Sequence, residues 1–162
     1  MRWLAHLLDF GRAARCFPPQ AMDAIQHAIA ASESTHLGEI VFAVEGSLPL
    51  ADILRRRSAR QRAEEVFARL RVWDTEANTG VLVYVLLADR AIEIVADRGA
   101  AAAIRQAEWQ PAIELMRAHL ARGEYETGAI AGIAAVSELL ARHFPADGRA
   151  NPDELPDRPV LL

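Results

Sequence analysis

Apolar residues in the first third of the chain recur at two spacings, one typical of helices and one typical of strands. Pro18 and Pro19 open a stretch with a helical repeat, and Gly38 is its expected end. The apolar positions of this repeat are Met22, Ile25 and Ile29. Residues 40–44 then form a continuous apolar run of strand length, which Gly46 ends. The pattern predicts a first helix followed by a first, buried strand.

The middle of the chain predicts a broken helix and a hairpin. Residues 50–72 follow a helical pattern, but Ser58 begins a Ser-x-x-Gln sequence that is typical of a capping box, so two helices are expected to meet there. Residues 81–88 are apolar throughout, as in a strand that is covered on both faces. A tight turn at Asp89 and Arg90 joins this strand to the next apolar segment, which predicts an antiparallel pair.

After the hairpin the pattern is helical again. A short alanine-rich helix is followed by a helix with Pro111 in its first turn, which Gly123 ends, and by a last helix over about residues 125–143. Gly128 and Gly132, one turn apart, are expected to let this last helix approach the sheet closely. A strand, a crossover helix and a second strand normally form a right-handed parallel unit, to which the hairpin adds an antiparallel strand. The predicted fold is therefore α/β, with a small mixed β-sheet flanked by helices.

Length and composition predict one domain. The chain has 162 residues, 52% of them hydrophobic, which suffices for one core but not for two ordinary domains. We expect an N-terminal amphipathic segment at residues 1–17, the α/β domain at residues 18–144 and a tail at residues 145–162. The tail is rich in proline and acidic residues, so it is expected to be extended or disordered.

Charge and cysteine content exclude several classes of protein. The formal net charge is -4, which argues against attraction to phosphate backbones, so nucleic acid is not an expected partner. A single cysteine, Cys16, excludes an internal disulfide and a multi-cysteine metal site. No apolar run reaches the roughly 20 residues that cross a bilayer, and no secretory cleavage site follows the N-terminus. We therefore expect a cytoplasmic protein without a transmembrane segment.

The predicted topology sorts polar side chains onto two edges of the sheet. Because strands one and two run parallel and strand three returns, the loops before strand two and after strand three meet at one edge. That edge carries His36, Glu39, the loop at residues 73–80, Asp97, Arg98 and Gly99. The opposite edge carries Glu45, Ser47, Asp89 and Arg90. General rules for α/β sheets favour the opposite edge as a ligand site, but the first edge offers more oxygen ligands.

The side chains at the first edge predict a cation site. Its oxygen-bearing side chains are Asp74, Glu76, Asn78 and Asp97. Ca²⁺ and Mg²⁺ prefer oxygen ligands of this kind, and Arg98 beside them could hold a phosphate by two parallel hydrogen bonds. The alternative is that these are ordinary loop residues, with Asp74 capping a turn and Arg98 in an ion pair. Familiar catalytic patterns such as the P-loop and H-E-x-x-H are missing, which narrows the enzyme classes.

Two further segments could contact partners. Arginines are dense over residues 55–62, where they could meet an acidic partner, anionic lipid or a phosphate-rich ligand, or could form a solvated helix face. The N-terminal segment mixes arginines with apolar residues, so it could lie on a membrane surface, pack against the domain or bind a partner protein.

Several of these segments together resemble the TPM family, whose members are often called TPM phosphatases. The resemblance extends from about residue 18 to residue 144 and is carried by Gly38-Glu39-Ile40, Val66-Phe67, Val72-Trp73, Asn78-Thr79-Gly80-Val81-Leu82, Asp89-Arg90, Ile92-Glu93-Ile94-Val95 and Gly123-Glu124-Tyr125-Glu126-Thr127-Gly128. It implies a three-layer α/β/α sandwich, divalent-metal binding in some members and an acid-phosphatase activity proposed for plant thylakoid relatives. Two positions depart from the family pattern. Asn78-Thr79-Gly80 stands where members usually have Asp-Asn-Gly, and Asp97-Arg98-Gly99 stands where they have Gly-aromatic-Gly.

The sequences of two loops resemble those of one subgroup of this family. Residues 73–76 and 96–99 look like those of a bacterial subgroup without signal peptides, often encoded beside LemA-type membrane proteins and secreted TPM relatives. By analogy, this implies a membrane-associated protein partner at the inner face of the membrane, where the protein would be peripheral.

Two functional hypotheses follow. In the first, the chain is a metal-assisted acid phosphatase: Asp74, Glu76, Asn78 and Asp97 hold Ca²⁺ or Mg²⁺, Asp97 and Arg98 are the candidate catalytic residues, and the substrate is a phosphate-containing small molecule. In the second, the domain is a non-catalytic interaction module that works with membrane-associated partners.

Overall fold

The structure is a computed structural model that describes residues 11–148 and 152–162. Its helices are α1 (Arg12–Cys16), α2 (Pro19–Glu33), α3 (Leu50–Leu54), α4 (Ala59–Arg69), α5 (Arg98–Ala103), α6 (Gln110–Ala121) and α7 (Tyr125–His143), with a 3-10 turn at Gln106–Trp109. Its strands are β1 (Glu39–Glu45), β2 (Gly80–Leu86), β3 (Ala91–Ala96) and β4 (Val160–Leu161). The order of helices and strands predicted from the sequence is confirmed through α7. Most of the predicted amphipathic segment lies outside the described residues.

The four strands form one mixed sheet in the order β3-β2-β1-β4. The strands β1 and β2 are parallel over their full length, with Glu39 opposite Gly80 and Glu45 opposite Leu86. Strand β3 returns antiparallel to β2, and β4 pairs parallel with β1. The predicted parallel unit and hairpin are therefore both present.

Helices cover both faces of this sheet. On one face α2, α6 and α7 pack on alternate strand residues, among them Ile40 and Phe42 of β1. On the other face α4 packs on the intervening residues, among them Val41 and Ala43. Because both faces are covered, β1 and β2 are buried at every position, which explains their continuous apolar runs. The result is the expected three-layer α/β/α sandwich.

A capping box separates α3 from α4. The amide of Gln61 donates to Ser58 Oγ at 3.1 Å, and the amide of Ser58 donates to Gln61 Oε1 at 3.0 Å. These two bonds satisfy amide groups that the first turn of α4 would otherwise leave unpaired. The break predicted at Ser58 is thus confirmed.

The two glycines of α7 serve helix packing. A Cβ on Gly132 would lie 2.2 Å from Met116 Sδ, and a Cβ on Gly128 would lie 2.7 Å from His119 Cβ. Both contacts are with α6. The expectation that these glycines approach the sheet is therefore wrong, because the helix that they face is its antiparallel neighbour.

The C-terminal tail lies along the open side of β1. Val160 and Leu161 form β4 against Ala43 and Val44, and the amide of Leu162 donates to the Val44 carbonyl at 2.9 Å. Leu155 is 7% exposed and joins the core beneath α4. The composition of the tail did not predict this strand. A polar segment can be held by one buried apolar residue and by pairing with a free sheet edge, and neither contact is visible in composition. The three domain boundaries stay predictions.

A buried ion pair holds α4 against the sheet. Arg62, which is 4% exposed, donates through Nε and Nη2 to the two oxygens of Glu45 at 2.9 and 2.7 Å. The Tyr84 hydroxyl donates to the same carboxylate at 2.5 Å. Arg57 is also engaged, since it pairs with Asp52 at 3.3 Å. The interpretation of the arginine-rich segment as a solvated helix face is wrong for Arg62, which is buried and fully paired.

Replacing Arg62 should be costly. Arg62→Met leaves Glu45 buried without its cation, so the free energy of unfolding should fall by about 3–5 kcal/mol. Arg69→Met, on an exposed position of the same helix, should change it by less than about 0.5 kcal/mol. Urea denaturation followed by circular dichroism measures both. The double variant Glu45→Leu/Arg62→Met should be more stable than Arg62→Met alone; equal stability of the single and double variants would contradict this account.

Candidate functional site

The structure places Asp74 and Glu76 on the surface of the loop between α4 and β2. Asp74 accepts a hydrogen bond from Arg71 Nη2 at 2.6 Å. The side chain of Glu76 is exposed, while its backbone amide donates to Glu154 Oε1 in the tail at 2.9 Å. Asp74 is therefore engaged in a local ion pair.

Asn78, Asp97 and Arg98 lie close together, and their hydrogen bonds join the loop before β2 to the loop after β3. Arg98 Nε donates to Asn78 Oδ1 at 2.8 Å, and Asp97 Oδ1 accepts from the Arg98 amide at 2.7 Å as the N-cap of α5. Gly99 adds a backbone hydrogen bond between the same two loops, since its amide donates to the Asn78 carbonyl at 2.9 Å. A Cβ on Gly99 would lie 2.6 Å from that carbonyl oxygen, so only glycine fits. The second oxygen of Asp97 is buried and has no hydrogen-bond partner in the described part of the chain.

A different set of carboxylates forms the closest acidic group. Glu33 ends α2, Glu39 begins β1 and Asp153 belongs to the tail, and one oxygen of each lies within 4.8 Å of the others. Among residues 11–148 and 152–162, Asp74, Glu76 and Asp97 do not form such a group. Because Glu39 pairs with Gly80 across the sheet, the acidic cluster lies at the edge that the sequence favoured. We call Glu33, Glu39 and Asp153 the acidic cluster.

Glu39 is the most unusual member of the acidic cluster. It is 1% exposed, and within the described residues neither of its carboxylate oxygens has a hydrogen-bond partner. One oxygen of Glu33 is also buried without a partner. An ionised carboxylate without compensation inside a protein is costly, so such groups either take up a proton or bind a cation.

The pKa values of the carboxyl groups in and beside the cluster are raised, because burial disfavours the charged form. Burial raises the pKa of Glu39 to about 7, helped by the charges of Asp153 and Glu154 and opposed by the nearby amides of Leu155 and Glu154. Burial together with the charges of Glu39 and Asp157 raises the pKa of Glu33 to about 9. Burial and the charge of Asp153 likewise raise the pKa of Asp157. Without a cation, the site therefore holds protons at neutral pH.

An open cavity of about 430 Å³ lies beside the cluster. Its described lining residues are Ala30, Glu33, Ser34, Ala146, Gly148, Asp153 and Asp157. None of these is basic, so no described lining residue neutralises the carboxylates. Arg158, the basic residue of the described part of the tail, pairs instead with Asp23 at 3.3 Å.

The donor set fits a hard divalent cation. Ca²⁺ binds oxygens at about 2.3–2.6 Å, so two oxygens on opposite sides of one ion lie up to about 5 Å apart. The 4.8 Å spread within the cluster is compatible with this geometry. The cavity leaves room for water ligands, which Mg²⁺ usually retains.

The sequence analysis placed Glu39 at the edge where the acidic cluster lies but did not select it as a ligand. Glu33 and Asp153 were missed, because one lies in a helix and the other in a tail whose docking depends on tertiary contacts. The sequence feature that could have indicated the cluster is Glu39 itself, because an acidic residue directly beside Ile40 at the start of a fully apolar strand is unusual.

These features define an α/β/α domain with an acidic cavity at one sheet edge. The chain belongs to the TPM domain family, whose model matches residues 12–139. No curated protein sequence matches it significantly. In the described residues, no helix combines the length and apolar character needed to cross a membrane.

Two solved structures share the fold. The BA42 protein of the psychrophilic bacterium Bizionia argentinensis, determined by NMR, is 26% identical with a TM-score of 0.77, covering 88% of this chain and 93% of its own. The N-terminal domain of a P. gingivalis protein is 19% identical with a TM-score of 0.60, covering 86% of this chain and 90% of its own. The second likeness concerns the fold alone.

The acidic cluster should make stability fall as pH rises. In the unfolded chain carboxyl groups lose their protons near pH 4.3, whereas folded Glu39 and Glu33 retain theirs to about 7 and about 9. The native state thus binds more protons, so raising the pH from about 6.5 to about 9 in chelator should lower the free energy of unfolding, on the order of 2 kcal/mol.

Urea denaturation at several pH values measures this slope. Glu39→Gln should flatten it, because the variant removes one of the titrating groups, whereas Glu126→Gln on the exposed surface of α7 should not. A wild-type stability that is constant or rises across this window would contradict the assignment.

Proposed function

We propose that this TPM-domain protein binds a divalent cation, Ca²⁺ or Mg²⁺, at Glu33, Glu39 and Asp153. The observation that carries the proposal is Glu39, a fully buried carboxylate that has no hydrogen-bond partner among the described residues and lies close to two other acidic side chains. A cation supplies the positive charge that the described residues do not offer there.

The two ends of β1 support this proposal by contrast. Glu45 at the carboxyl end is 3% exposed, and Arg62 and Tyr84 give it three hydrogen bonds. Glu39 at the amino end is equally buried, but among the described residues neither a guanidinium nor a hydroxyl forms a hydrogen bond with it. The fold compensates one carboxylate internally, which makes the uncompensated carboxylate the better candidate for an external ion.

The cation also gives the tail a function. Asp153 comes from the tail, whereas Glu33 and Glu39 come from the body of the domain. An ion shared by all three joins the two parts, and it removes the repulsion between like charges that otherwise opposes docking of the tail. Cation binding and tail docking should therefore stabilise each other.

Calorimetric titration of chelator-treated protein with Ca²⁺ and with Mg²⁺ tests the site. We expect wild type to bind one ion, and Glu39→Gln and Asp153→Asn each to weaken binding by about tenfold or more, because each loses a carboxylate ligand. Glu126→Gln is the matched control and should bind as wild type does. Asp97→Ala separates this site from the ligand set predicted from the sequence and should leave binding unchanged.

Two outcomes would contradict the proposal. One is the absence of binding by wild type at neutral pH. The other is loss of binding in Asp97→Ala with full binding in Glu39→Gln, which would favour the set of Asp74, Glu76, Asn78 and Asp97.

Phosphatase chemistry is a second candidate, favoured by Arg98. Its Nε is engaged by Asn78, whereas its two Nη nitrogens have no partner among the described residues and can bind a phosphate. Asn78 and Asp97 hold the loop that carries Arg98. A bound cation would supply the electrophilic assistance that such hydrolysis needs.

A panel of phosphate monoesters tests this candidate. If the chain is an acid phosphatase, it should release inorganic phosphate in the presence of Ca²⁺ or Mg²⁺, and Arg98→Gln should lower kcat/KM by about tenfold or more. The exposed Arg105→Gln serves as the control variant. Cation binding without phosphate release would reject the enzyme and favour the interaction module. A membrane-associated partner for that module stays a prediction, since the N-terminal segment lies outside the described residues.

A further inference from the structure

A second cavity lies at the opposite edge of the sheet. It measures about 420 Å³ and opens between the carboxyl end of β2, the β2–β3 turn, the end of α6 and the start of α7. This volume falls within the roughly 300–1,000 Å³ of small-molecule sites. The carboxyl ends of parallel strands are also where α/β sheets commonly bind ligands.

The lining of this cavity combines an apolar floor with a basic rim. Leu87 and Ile92 are each 4% exposed and join the main core, so the floor is rigid. Leu120 and Tyr125 pack against the same core. The charged side chains among the described lining residues are all arginines: Arg12, Arg90 and Arg117. We call this cavity the arginine pocket.

Arg90 is the principal anion-binding residue of the arginine pocket. It lies in the hairpin turn with a φ of 51°, a left-handed conformation that Asn and Gly adopt more readily. Its guanidinium has no ion-pair or hydrogen-bond partner among the described residues, in contrast to Arg62. Arg117 is partly engaged, since one Nη donates to Glu114 at 2.5 Å.

One acidic side chain next to the pocket in sequence, Glu124, is already paired with neighbouring cations. Glu124 precedes Tyr125 and is held by Arg122 at 2.7 and 3.0 Å and by His119 at 2.6 Å. These contacts lower the pKa of Glu124 to about 2, led by the hydrogen bond from Arg122. The charged side chains that line the pocket are therefore cationic, although the chain as a whole is acidic.

We propose that the arginine pocket binds a small organic anion with an apolar body. The carboxylate or phosphate head of such a molecule is held by Arg90 with help from Arg117, and its hydrocarbon part lies on Leu87, Ile92 and Leu120. Guanidinium groups recognise both head groups by paired hydrogen bonds. The pocket is separated from the acidic cluster by the length of β2, about 20 Å, so the two sites do not share residues.

Titration of the full-length protein with octanoate, followed by amide chemical shifts, tests the proposal. Octanoate should shift the amides of Leu87, Arg90, Ile92 and Gly123, and octyl phosphate tests the alternative head group at the same amides. Neutral 1-octanol should bind at least about tenfold more weakly, because it cannot form a charge-assisted bond. Arg90→Asn keeps the turn, since Asn tolerates this backbone conformation, and should weaken octanoate binding by a similar factor.

Matched controls separate this site from the cation site. Arg105→Gln should bind octanoate as wild type does, and Glu39→Gln should lose the cation but retain octanoate. Octanol binding as tight as octanoate, unchanged affinity in Arg90→Asn, or shifts confined to residues away from the pocket would each overturn the proposal.

Discussion

The parallel pairing of β1 with β2 is the constraint on which the rest of the structure depends. It runs through seven residue pairs, from Glu39 opposite Gly80 to Glu45 opposite Leu86. Because the strand is covered on both faces, it buries a carboxylate at each of its ends. Arg62 neutralises one of them and thereby attaches α4 to the sheet. Among the described residues, the other faces the carboxylates of Glu33 and Asp153, so the same pairing creates both a structural ion pair and the proposed cation site.

The two edges of the sheet therefore have opposite electrostatic characters. The amino edge of β1 carries carboxylates from a helix, a strand and the tail, and the carboxyl edge of β2 carries arginines above an apolar floor. A net charge of -4 conceals this separation, because it averages over both edges. The tail links the fold to the acidic edge: β4 extends the sheet, and Asp153 completes the cluster. The proposed cation would therefore lie between the domain and its C-terminal segment.

Most of the fold could be predicted from the sequence because it depends on local patterns. Apolar runs, the capping residue Ser58, Pro111 and the Asp89-Arg90 turn each specify a boundary without reference to the rest of the chain. The fourth strand could not be predicted, since Val160 becomes a strand only against the open side of β1. The acidic cluster lies at the edge that the sequence favoured but consists of other residues, because whether an acidic side chain is exposed or buried depends on how segments distant in sequence approach each other.

The central claim is that a cation belongs between the body of the domain and its tail. A crystal grown with Mn²⁺, which takes the same oxygen ligands, tests it directly by anomalous scattering. We predict one strong peak within bonding distance of carboxylate oxygens of Glu33, Glu39 and Asp153. A peak at the Asp74 to Asp97 loops instead, or no peak while the three carboxylates retain the positions described here, would contradict the account.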